Sequence, residues 1–161
     1  MADTANGENN DGGASNSVTL GIAQQYIKDF SFESPETPQV FLEQSGQPNV
    51  NVNFNVAAES IRDDIHEVVL SIDIRSEIDG KTIFITELAY GGLCQVKGAT
   101  PEITKQALMI EVPRQLFPFA RAILAEAIRN GGFPPLLLNP IDFRQFYREH
   151  LDSGAAGSAP A

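Results

Sequence analysis

Residues 67–92, EVVLSIDIRSEIDGKTIFITELAYGG, decide how this chain folds. Val68, Leu70, Ile72 and Ile74 alternate with Ser71, Asp73, Arg75 and Glu77, the period-2 pattern of a strand buried on one face. Asp79-Gly80 marks a turn, and Lys81 to Tyr90 reads as the returning strand. A two-residue loop would send Phe84, Leu88 and Tyr90 to the polar side of the first strand. A three-residue loop, Ile78-Asp79-Gly80 with Gly80 left-handed, instead pairs Ile74 with Phe84, Leu70 with Leu88 and Glu77 with Lys81, and is the expected register. It leaves Ile83, Ile85 and Glu87 on the outer face beside Asp73 and Glu77. Isoleucines among carboxylates fit either an ordinary solvated face or a docking surface for a basic partner, and the pattern alone leaves both open.

Working outward, Asp29-Phe30-Ser31-Phe32-Glu33 alternates two aromatics against two carboxylates and predicts a short first strand, ended by Ser34-Pro35 and barred from continuing by Pro38. Val40, Phe41 and Leu42 then lie in a loop that needs no such residues merely to connect. Asn49 to Val56, NVNVNFNV, predicts a half-buried strand with Val50, Val52, Phe54 and Val56 on one side and asparagines on the other; Ala57 to Asp64 reads as a polar connection. Gly91-Gly92 predicts a kink or bulge before Leu93 to Val96.

From Thr100 the period becomes helical. Thr100 can cap a helix with Pro101 at its first position and Glu102 in its first turn, while Pro113 and Pro118 interrupt or kink the region. The pattern to Asn130 carries Leu116, Ala120, Ile123 and Ala127 on one side with Phe117, Leu124 and Ile128 adjoining, a stripe wider than one sheet face needs and suited in part to another subunit. Gly131-Gly132 ends it. Phe133 to Leu138, FPPLLL, is extended and apolar. Asn139 then caps a last helix bearing Phe143, Phe146, Tyr147 and Leu151 on one face, a stripe that fits core packing or the wall of a groove. Residues 1–17 and 152–161 are polar or small and are expected to be disordered, leaving one domain over 18–151.

The net charge of −10 is confined to residues 1–100, with 15 acids against 5 bases; residues 101–161 hold 6 of each. Such a field disfavours nucleic acid and anionic membrane and attracts cationic chains, over a reach of about 8 Å at cellular salt. One cysteine and two histidines exclude a disulfide framework and leave too few ligands for a structural zinc. His66, in DDIHE, alternates faces with its acidic neighbours, and neither His150 nor Cys94 has a sequence-adjacent partner for catalysis. The expectation is a protein without cofactor, metal or enzymatic centre. The N-terminus lacks a basic and apolar leader, and no apolar run is long enough to span a bilayer, so the expected location is the cytoplasm.

Three separated blocks, KDFSFESPETPQVF, DDIHEVVLSIDI with TIFITELAYGGL, and GGFPPLLLNPIDFRQFY, closely resemble SecB, the bacterial protein-export chaperone, in the family's order over about Val18 to Leu151. The resemblance implies an α+β fold, a four-stranded antiparallel sheet with helices packed on one face, assembled as a homotetramer, a dimer of dimers. It implies an ATP-independent holdase that keeps precursor proteins unfolded and delivers them to the motor ATPase SecA. Its matching positions for the basic zinc-binding tail of SecA are Asp29, Glu33, Ile85 and Glu87, and for the client groove Val40, Phe41, Val50, Val52, Phe54, Phe143, Phe146 and Tyr147. The chain departs from the family in having Ser45-Gly46 before Gln47-Pro48 and no tryptophan, which implies a shallower or more flexible groove there. Two other readings stand beside this one: a small α+β enzyme with an apolar cavity, and a SecB-like chaperone dedicated to a toxin-antitoxin pair.

Overall fold

The computed structural model describes residues 17–43 and 46–152. The polar extension and tail expected at the two ends therefore lie outside the described residues, apart from Ser17 and the backbone of Asp152. Four long strands, β1 (Thr19–Glu33), β2 (Asn49–Arg62), β3 (Ile65–Ile78) and β4 (Lys81–Lys97), form one antiparallel sheet in the order β1-β4-β3-β2. Three helices come after them: α1 (Pro101–Gln106), α2 (Val112–Asn130) and α3 (Phe143–Asp152). The expected α+β class, with helices packed on one sheet face, is the class found.

The central hairpin corrects the expected register. Asp79 (φ 50°) and Gly80 (φ 78°) are both left-handed and make a two-residue turn, so Ile78 pairs with Lys81 and Glu77 with Thr82, not with Lys81. A bulge then inserts one extra residue, Ile83, so that Ser76 pairs with Phe84, Ile72 with Leu88 and Leu70 with Tyr90. The bulge returns Phe84, Leu88 and Tyr90 to the core face, the same outcome that a three-residue loop would give. It also buries Ile83, expected outside, in a recess it shares with Val40 and Ile78.

Both edge strands are longer than their patterns indicate. β1 starts at Thr19 and not Asp29, and it shifts register against β4 between Ile22 and Gln24 and again between Ile27 and Asp29. β2 runs on through Ala57 to Arg62 and turns at Asp63-Asp64, with Asp63 left-handed (φ 38°). No kink or bulge occurs in β4 at Gly91-Gly92: the irregularities belong to β1.

Val68, Leu70, Ile72 and Ile74 of β3 are wholly buried beneath α2, whose Val112, Leu116, Ala120, Leu124 and Ile128 have no exposed surface. Gly92 leaves room for Leu116, whose Cδ2 would lie 3.1 Å from any Cβ there. Thr100 caps α1 by accepting from Ile103 N–H at 3.3 Å. Pro113 does not break the helical run. A π turn over Ala107–Glu111, in which Val112 N–H reaches back to Ala107 O, absorbs its missing donor and ring, and the helix continues to Asn130.

Candidate functional site

The strand registers bring Asp29, Glu33, Ile85 and Glu87 together on the sheet face away from the helices. Glu33 stands opposite Ile85, which stands opposite Arg75; Ser31 stands opposite Glu87, which stands opposite Asp73; Asp29 stands opposite Ala89. Directly opposed residues share a face, while Phe30 and Phe32 alternate to the other. β2 rims this row with Asn51 and Asn53, and a shallow cleft of about 310 Å3 opens between them, Asp73, Arg75 and Glu87. Burial pushes the Asp73 carboxyl above its ordinary value. Arg75 lies 3.6 Å from Glu77 and is the cation set among these acids.

Beside Asp29 the same face carries a polar clasp that the sequence reading missed. Tyr26 Oη donates to Glu67 Oε2 at 2.5 Å and Lys28 Nζ to Glu67 Oε1 at 2.6 Å, joining β1 to β3 across the intervening β4. Lys28 and Tyr26 hold the Glu67 carboxyl below its usual value, and burial, then the Glu67 bond, raises Tyr26 to about 12.

On the helix side, a groove of about 340 Å3 is lined by Val40, Phe41, Val50 and Phe84 and walled by Phe133 to Leu136. Its rings form a chain: Phe41 to Phe133 (5.3 Å between centroids), Phe133 to Phe84 (5.2 Å) and Phe84 to Phe32 (5.8 Å). The glycines after α2 admit these rings. A Cβ on Gly131 would collide with Phe32 Cζ, and one on Gly132, itself left-handed, would meet Phe41 Cζ at 2.7 Å. The sequence marks FPPLLL as extended without revealing it as a wall. The signal lies in a glycine pair able to seat aromatics, followed by prolines that hold an apolar run extended.

Val50 and Val52 are each 37% exposed, and alternation keeps them on the helix side with Phe54. Phe54 meets Phe146 of α3 at 5.0 Å. The remaining two positions lie elsewhere: Phe143 is 2% exposed and packs edge-on against Phe117 and Phe54, and Tyr147 is buried beside it in the core. The aromatic stripe on α3 is thus divided between core and surface. Ser45, in the stretch where the family's tryptophan is missing, is outside the described residues.

Cys94 is buried, with its thiol pushed up to about 11 by desolvation. Among the described residues, no three of His, Cys, Asp and Glu are grouped to hold a metal ion, and no helix is long and apolar enough to cross a membrane.

The sequence profile of SecB, preprotein translocase subunit SecB, matches residues 13–154. A protein-export protein SecB of Rhodospirillum centenum is 45% identical over 157 residues, covering 95% of this chain and 94% of that protein. One from Nitrobacter winogradskyi is 45% identical over 140 residues, covering 87% and 88%. Among solved structures, a SecB-like chaperone of Mycobacterium tuberculosis, in complex with a peptide from an antitoxin, superposes with a TM-score of 0.62 over 76% of this chain and 90% of that one, at 15% identity. At that identity the likeness is one of fold.

Proposed function

The chain belongs to the SecB family and is a protein-export chaperone by that kinship, and from this premise we propose that the two faces of its sheet divide the work. The helix-side groove holds extended apolar segments of unfolded precursors. The outer row of Asp29, Glu33, Ile85 and Glu87 receives a basic segment of SecA, with Ile85 as its apolar contact. The single observation that carries this reading is the separation: an aromatic groove and an acidic row lie on opposite faces of one sheet, so a client and a motor can be engaged together.

Phe41, Val50, Val52, Phe54 and Phe146 are the client residues of this proposal, with Val40 and Phe133 beneath them, while Phe143 and Tyr147 support the groove from the core. Burying one client Leu or Phe contributes about 1.5–3 kcal/mol before ordering costs, so one groove is weak. Several grooves on one homotetramer, engaged by successive segments of one chain, raise affinity through effective concentration. The tetramer is favoured by the flank of α2 beside β1, where Phe119 is 53% exposed and Ile123 half-buried. Handover comes after docking and needs no nucleotide, and the setting is the cytoplasm, where precursors and SecA meet.

The test is calorimetric titration of a permanently unfolded precursor and its folded form, without nucleotide, with the native mass recorded. Binding of the unfolded form alone, by a tetramer, is expected. Binding of neither, or of both equally, would sink the reading.

A further inference from the structure

The second register shift of β1 falls inside the outer acidic row. Ile27 pairs with Tyr90 and Asp29 with Ala89, so Lys28 is an extra residue between them. Regular alternation would send Lys28 and Asp29 to opposite faces of the sheet. Here they share one. Asp29 lies on the outer face through its line of partners, Ala89 and then Ser71, and Lys28 reaches the same face, where its Nζ donates to Glu67 Oε1 at 2.6 Å. The bulge therefore sets a cation and a carboxylate side by side on Cα atoms about 3.8 Å apart.

Lys28 has two carboxylates within its compass, and it is on Glu67. That acid is the better held of the two: Tyr26 Oη donates to its other oxygen at 2.5 Å, and its side chain is only 15% exposed. Asp29 is exposed, where water and salt weaken any pair it could make, and no cation sits on it among the described residues. Resting on the reading of the outer row as the site for a basic segment, we propose that Glu67 is a positioning residue for that site, which withholds Lys28 from Asp29 so that the row meets its partner with the Asp29 charge uncompensated. Glu67 does not touch the partner. It acts through the place where it holds the Lys28 ammonium.

The test is a cycle of variants in the full chain, titrated with a basic SecA-derived peptide at low salt, together with the side-chain carboxyl 13C signal of Asp29 at neutral pH. Glu67→Gln keeps an acceptor for Tyr26 and removes the charge that holds Lys28. It should weaken the peptide about two- to fivefold, the worth of one exposed pair, and shift the Asp29 signal with no peptide present. Lys28→Gln added to Glu67→Gln should return both the affinity and the signal towards the parent, which a merely structural loss of the clasp would not do. The losses from Glu67→Gln and Asp29→Asn should not add, because in the first variant Asp29 is already paired. Additive losses, an Asp29 signal unmoved by Glu67→Gln, or no rescue by Lys28→Gln overturns the proposal. A parent chain that binds no peptide, while its Asp29 signal still shifts on Glu67→Gln, overturns the reading of the row and the role of Glu67 with it.

Discussion

The ring of Tyr26 occupies the space above Gly91 that a side chain would fill: a Cβ there would stand 2.5 Å from Tyr26 Cε2 and 2.9 Å from Cζ. That approach is what lets the hydroxyl of an edge-strand tyrosine reach Glu67 on β3. Gly91→Ala must displace the ring, break the bond and leave Glu67 with one partner fewer, at a cost of about 1–3 kcal/mol. Gly21→Ala, whose Cβ meets nothing within 4 Å, should change stability by no more than about 0.5–1 kcal/mol. Urea unfolding midpoints compare the two. Equal, small effects would mean that the clasp contributes nothing.

The clasp should also be sensitive to pH from both sides. Glu67 is held below the usual glutamate value by Lys28 and then Tyr26, so its contribution is present above that ordinary value and lost as pH falls through the lowered one. Tyr26 is raised from 10.0 to about 12, so its contribution is present below 10 and lost as pH rises towards about 12. The stability advantage of the parent over Tyr26→Phe, about 1–2 kcal/mol at neutral pH, should therefore shrink in acid and again in alkali. A difference that stays flat across both windows would count against the hydrogen bond.

Most of the sheet was legible because β3 is central and buried on one face, where alternation is enforced residue by residue. The hairpin register was not. A two-residue turn and a bulge at Ile83 compensate each other, and their joint effect on side-chain facing imitates the three-residue loop that the pattern required. The first half of β1 was illegible for a related reason: two register shifts, at Ile22/Gln24 and Ile27/Asp29, scramble its period. In β2 the residues after Ala57 run past the core as an exposed edge, so no apolar constraint marks them as a strand. The outer acidic row could be read from alternation, whereas the groove wall could not, because extended FPPLLL has no period of its own. The helical period of α3 could not separate Phe146 from Phe143, since one helical face carries both the buried Phe143 and the half-buried Phe146.

Phe143 and Phe41 should respond in opposite ways. Phe143 is enclosed by Phe54 and Phe117, and its truncation to alanine should cost about 3–5 kcal/mol of stability. Phe41 is 42% exposed at the groove. Phe41→Ser should leave the unfolding midpoint nearly in place and weaken capture of an unfolded precursor by about 1–2 kcal/mol per engaged groove, roughly five- to thirtyfold. Paired denaturation and binding measurements decide it. Loss of client binding by Phe143→Ala without loss of stability would place that ring in the groove after all.

The outer row makes the sharpest separation of the two faces. Glu87 is directly opposite Asp73 and Ser31, with Asp29 and Glu33 on the same strand and face as Ser31. Glu87→Lys or Asp29→Lys should weaken binding of a basic SecA-derived peptide. An exposed pair is worth up to about 1 kcal/mol, so the loss is about fivefold for removing a charge and more for reversing it. The effect should fade at high salt, where screening shortens to about 3 Å at 1 M. Client affinity should not change, because the groove lies across the sheet. Arg75 supplies a test of opposite sign: it stands opposite Ile85 within the row and is held by Glu77 only at 3.6 Å. Arg75→Gln removes a positive charge that a basic ligand would meet there and should tighten the peptide. If Arg75→Gln weakened it, or if Glu87→Lys reduced client and peptide binding alike, the division between the faces would be wrong.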